Sequence, residues 1–120
     1  MGSNPTLSAI SKNKELVSKF SKVDISCTSR EEIQEIAKSL LGSRLVACVD
    51  EPVENQSNYW WNEKIERETR YQITALSSFE KRDLIIRLVK EHHSDETPGI
   101  VFSAIDANQE FLDWIEGSIK

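Results

Sequence analysis

Cysteine, histidine and glycine are scarce in this sequence of 120 residues, and each scarcity excludes a class of chemistry. The two cysteines, Cys27 and Cys48, are too few for a disulfide framework. The two histidines are adjacent, His92 and His93, which rules out a mechanism built on distant imidazoles. The four glycines are isolated, so there is no glycine-rich loop to cradle a phosphate. No run approaches the roughly 18 apolar residues of a membrane span, and no apolar leader opens the chain, so neither stable membrane insertion nor secretion is expected. Basic residues are outnumbered by 15 to 20, giving a net charge of −5 without a basic stripe, which argues against a nucleic-acid partner.

What remains is the balance of one soluble domain. Residues 1–21 are rich in Ser, Lys and Asn and read as a flexible arm, with one helical turn expected from Glu15 to Phe20. Met1-Gly2-Ser3 fits the loose acylation pattern, but it is also a common vector-derived remnant, the reading preferred here. From Lys22 to Lys120 the patterning is regular. Val23, Ile25 and Cys27 alternate with polar residues, as in a half-buried strand. Ser29 and Glu32 make a capping box ahead of the helical stripe Ile33, Ile36, Ala37, Leu40 and Leu41, with Gly42 as its left-handed terminator. A second strand is expected over Arg44–Val49, resuming at Tyr59-Trp60-Trp61 after Pro52. Asn62-Glu63 reads as a hairpin turn into a third strand, Lys64–Leu76. Ser77 and Glu80 suggest a second capped helix carrying Leu84, Ile85, Leu88 and Val89. Thr97-Pro98 precedes a fourth strand, Ile100–Ile105, and a last helix turns Phe111, Leu112, Trp114 and Ile115 inward. The order β-α-β-β-α-β plus a C-terminal helix is the α+β ferredoxin-like sandwich. The cysteines then lie on non-neighbouring strands, and free thiols suit a reducing compartment, hence a cytoplasmic protein. Asp24, Ser26, Gln72, Thr74 and Ser103 form the wet face of the sheet.

Cys27 ends the first strand, and the loop after the second helix leads to the strand beside it. That topology can bring Cys27 together with His93 and Glu96. A thiolate, an imidazole and a carboxylate suit copper or zinc better than calcium or magnesium. A Cys–His enzyme is the weaker reading, because no orienting group or oxyanion loop accompanies the pair. Trp60 and Trp61 point to opposite faces of a strand, so one is expected in the core and the other at an interface. The alternating charges from Glu63 to Arg70 read as a solvated edge.

Arg44-Leu45-Val46-Ala47-Cys48-Val49, Tyr59-Trp60-Trp61-Asn62-Glu63-Lys64-Ile65-Glu66, His92-His93 with Thr97-Pro98, and Phe111-Leu112-Asp113-Trp114-Ile115 together resemble the CutA family of divalent-cation tolerance proteins. The resemblance spans about Lys22–Lys120. It implies a homotrimer, with Tyr59, Trp60 and Trp61 at the interface, and a role in tolerance of copper or another divalent metal. It implies Cys27, His93 and Glu96 as ligand positions; with no orienting group or oxyanion loop in the sequence, no catalytic activity is expected. The alternative is a regulatory or scaffold trimer, similar to the nitrogen-signalling PII proteins, that binds a small anion or a protein partner. The loop departs from the family pattern: His93-Ser94-Asp95 replaces His-Pro-Tyr, and Gly99 replaces the glutamate after Thr-Pro. Asp95 thereby becomes a further candidate oxygen ligand.

Overall fold

The computed structural model describes residues 19–120, and the first 18 residues, which hold most of the expected arm, lie outside it. The elements are β1 (Phe20–Cys27), α1 (Arg30–Gly42), β2 (Cys48–Val49), β3 (Val53–Trp61), β4 (Lys64–Ser78), a 3-10 turn (Phe79–Lys81), α2 (Arg82–His92), β5 (Ile100–Ile105) and α3 (Gln109–Ser118). The sheet order is β2-β4-β1-β5, with β3 also paired to β4, and every ladder is antiparallel. This is the expected α+β arrangement, with the first and third long strands central. Phe20 belongs to β1 and is paired with Ser78 and Ile105, so the helical turn expected to end there does not include it.

Alternation decides what the sheet buries. Val23, Ile25 and Cys27 of β1 and Ile73 and Ala75 of β4 meet Ile33, Ile36 and Leu40 of α1 and Ile85 and Val89 of α2. Each such aliphatic side chain contributes about 1.5–3 kcal/mol when fully buried. A smaller cluster joins Phe20 to Leu112 and Ile115 of α3. On the opposite face Asp24 Oδ1 accepts from the Thr74 hydroxyl at 2.7 Å and from the Gln72 amide at 3.4 Å, which is the wet face expected.

Several local expectations are corrected. The strand expected over Arg44–Val49 shrinks to Cys48–Val49, because Arg44 adopts φ 60° and the Leu45 amide bonds back to Leu40. Leu45 and Val46 are then both buried, which strand alternation would not allow on one face. Gly42 is not a left-handed terminator. The helix runs through it, and Ser43 closes the end by donating its hydroxyl to the Ser39 and Leu40 carbonyls. Ser77 caps no helix: β4 stays paired with β1 through Ser78, and the Ser77 hydroxyl donates to the Leu45 carbonyl. Phe111 and Trp114 do not turn inward but stack on each other in solvent, 5.4 Å between centroids. Neither Trp60 nor Trp61 enters the core; both are exposed.

The hairpin itself forms as expected. Asn62 and Glu63 have φ of 50° and 65°, the paired positive values of a two-residue turn that follows the twist of its strands. β3 pairs with β4 from Val53↔Gln72 to Trp61↔Lys64, whereas β1 reaches β4 only from Tyr71 onward. Residues 64–70 therefore pair with β3 alone and carry the hairpin beyond the sheet.

Candidate metal centre

The end of β1, the first turn of α1 and the loop after α2 converge. Cys27 is the last inward residue of β1 and is fully buried. Ser29 caps α1 by accepting the Glu32 amide at 3.2 Å, which sets Glu32 in the first turn. His93 follows the last residue of α2, and its side chain is 0% exposed. One ligand atom each from Cys27, Glu32 and His93 lies within 4.8 Å of the others.

Both ring nitrogens of His93 and one Glu32 oxygen are engaged. His93 Nε2 donates to the Ser26 carbonyl at 2.7 Å, and Nδ1 accepts the Asp95 amide at 3.0 Å. Those partners place the proton on Nε2 and leave the lone pair on Nδ1, 3.8 Å from Glu32 Oε2. The Glu32 carboxylate accepts the amide and hydroxyl of Ser94 at 3.0 and 3.1 Å and lies beside the Cys27 thiol. Burial, with the Glu32 carboxylate next in weight, pushes the Cys27 thiol up to about 12. Partial burial works to raise the Glu32 carboxyl as well. The donors from Ser94 and Cys27 outweigh it, and the net direction is down.

Across the sheet from this group lies an open cavity of about 510 Å³. Ser57, Tyr59 and Trp61 of β3, Glu68 and Arg70 of β4, and Asp95, Glu96 and Thr97 of the loop line it. Register puts Ser57 opposite Glu68 and Tyr59 opposite Glu66, so these side chains share the face away from the helices. Arg70 is only 13% exposed in its side chain. Its Nε donates to the Ser26 hydroxyl at 2.9 Å, and one terminal nitrogen reaches Glu68 at 2.6 Å. The other terminal nitrogen reaches both the Ser26 carbonyl at 2.8 Å and Asp95 at 2.9 Å. Arg70 is thus an internal tie, not part of a solvated edge.

The expected ligand positions divide. Cys27 and His93 meet; Glu96 stands on the cavity wall, outside the group of three, and Asp95 is paired with Arg70. The carboxylate that joins them is Glu32, which the sequence pattern assigns to a capping box. Its amide does serve the cap, while its carboxylate turns to the loop. Position was the available signal, since Glu32 lies in the first turn of the helix that follows Cys27. Tyr59 and Trp61 line the cavity, and Trp60 sits on the opposite face beside Ile65. The donor set suits a borderline or soft divalent ion. Bonds of about 2.0–2.3 Å would require the three atoms to draw together and Nδ1 to release the Asp95 amide.

Residues 22–118 match the family profile described as CutA1 divalent ion tolerance protein. The chain is 28% identical over 106 residues to the divalent-cation tolerance protein CutA of Yersinia pestis (strain Pestoides F), covering 86% of this chain and 89% of that protein. Among solved structures it is similar to the divalent cation tolerance protein of Thermus thermophilus, with TM-score 0.81 and 28% identity over 84% of this chain and 99% of that one. The periplasmic divalent cation tolerance protein CutA of Archaeoglobus fulgidus gives TM-score 0.80 and 35% identity with the same coverage. With the matched profile spanning nearly all the described residues, the chain belongs to the CutA1 family of divalent-ion tolerance proteins.

Proposed function

We propose that the chain acts as a cytoplasmic homotrimer that binds a divalent transition metal, copper foremost, and contributes to metal tolerance without catalysing a reaction. The observation that carries this reading is the convergence of Cys27, Glu32 and His93 within 4.8 Å. Thiolate, carboxylate and imidazole would hold the ion, and the proton on the thiol would leave as it binds. The His93 ring already donates its second N–H to a backbone carbonyl, the arrangement that orients metal-binding imidazoles. A thiol protonated up to about pH 12 is a poor nucleophile, which supports a non-enzymatic role. Free cysteines fit the cytoplasm. The trimer is supported by the protruding hairpin: Trp60 is 71% exposed and Ile65, directly opposite it, 66%.

The 510 Å³ cavity supports the second reading, a regulatory trimer with a small ligand or protein partner. For an anion it is poorly equipped. Its basic lining residue, Arg70, is committed to Ser26, Glu68 and Asp95.

Copper(II) and zinc(II) titration calorimetry without a chelating buffer tests the proposal. Saturable binding is expected for the unaltered chain and loss in Cys27→Ala, His93→Ala and Glu32→Gln. A Glu96→Gln variant tests whether the loop carboxylate swings in as a fourth ligand. Binding unchanged in the first three variants would overturn the site.

A further inference from the structure

We infer that the Asp95 backbone is a plug on the metal-facing nitrogen of His93, and that the Arg70–Asp95 ion pair holds it there. The inference rests on the metal-binding reading of Cys27, Glu32 and His93. Two ring nitrogens, two backbone groups and one guanidinium carry it. Nδ1 is the nitrogen that faces Glu32, and its lone pair is taken by the Asp95 amide at 3.0 Å. An ion cannot share that lone pair, so the amide must leave first. The amide belongs to a residue whose carboxylate is pinned by Arg70 at 2.9 Å, in a side-chain environment 13% exposed on the arginine side and 28% on the aspartate side. A charge-assisted pair shielded from water to this degree holds its geometry better than a surface pair.

Arg70 has a second arm with the opposite effect. The same terminal nitrogen donates to the Ser26 carbonyl, which accepts His93 Nε2 from the other side. That arm keeps the ring aimed with Nδ1 toward Glu32. Arg70 is therefore a positioning residue whose two contacts separate by substitution. Asp95→Ala cuts the plug arm and leaves the aiming arm. Arg70→Gln weakens both. Between them the backbone at His93 is extended, φ −89° and ψ 133°, where α2 has already ended.

The test uses cobalt(II), whose thiolate-to-metal absorption reports the ligand set directly. In stopped-flow mixing, Asp95→Ala is expected to gain the sulfur-to-cobalt band about tenfold faster than the unaltered chain, with the same final spectrum. Arg70→Gln is expected to give an altered spectrum, because the ring is no longer aimed. In the metal-free chain, hydrogen exchange at the residue 95 amide should be slow and should speed up in Asp95→Ala, with exchange in β1 unchanged. Equal rates and equal exchange in the two chains would overturn the plug. If no chain develops the band, the metal-binding reading fails, and the exchange comparison still decides whether the ion pair holds the amide.

Discussion

Glu32 shows how one residue can serve two structures at once. Its amide closes the first turn of α1 on Ser29, and its carboxylate holds the Ser94 loop beside the Cys27 thiol. Removing the carboxylate by Glu32→Gln leaves the cap, so the helix should survive while the loop loosens. The neighbouring thiol makes a pH prediction. Folded Cys27 keeps its proton up to about 12, whereas an unfolded thiol loses it near 9.0. Between those values the unfolded state binds fewer protons, so this contribution to stability is complete below pH 9 and drains away as pH rises toward 12. The urea midpoint should fall more steeply between about pH 9 and pH 11 for the unaltered chain than for Cys27→Ala, measured side by side. Equal slopes would mean that the thiol titrates normally. At this scale the sequence exposes Cys27 and His93, because residue type and loop order suffice to bring them together. It hides Glu32, because the capping pattern offers its carboxylate a complete local explanation. Arg70 is hidden for a similar reason: it closes a run of alternating charges whose members from Glu63 to Arg67 are exposed.

Among the elements, the strands and helices with clear periods were the legible ones. β1 and α1 follow directly from the alternation at Val23, Ile25 and Cys27 and from the stripe at Ile33, Ile36 and Leu40. The junctions were not legible. Ser77 looks like a cap because serine followed three residues later by glutamate satisfies helix donors, yet pairing with Ser21 extends the strand past it. Phe111 and Trp114 read as core by size, and only the placement of α3 shows that Leu112 and Ile115 fill the available space. The Asn62-Glu63 turn gives a prediction of this scale. Glu63 has φ 65°, where a side chain is strained and glycine is not. Glu63→Gly should raise stability by about 0.5–1 kcal/mol in chemical denaturation, since the native conformation then costs less. A loss of stability would show that the Glu63 side chain contributes more in place than its backbone strain takes away.

At the scale of the whole molecule, the hairpin beyond Tyr71 is the part of the sheet that β1 does not reach. A two-stranded ribbon is marginal by itself in water, and this one carries Trp60 and Ile65 outward on one face. If neighbouring chains complete it, sedimentation should give three chains for the unaltered protein and a lighter species for Trp60→Glu combined with Ile65→Glu. A monomer from the unaltered chain would remove the trimer from the proposed function. The same hairpin carries Glu68 and Arg70 to the cavity, and from there the path to the buried group crosses the sheet through the Ser26 carbonyl and the Asp95 amide. These are main-chain atoms. No substitution at position 26 deletes a carbonyl, and at position 95 only proline deletes the N–H. Mutation can therefore change how firmly the two faces are joined far more easily than it can change where they join. An alanine scan would register the side chains of Cys27, Glu32 and His93 and pass over the two main-chain atoms that bond the His93 ring.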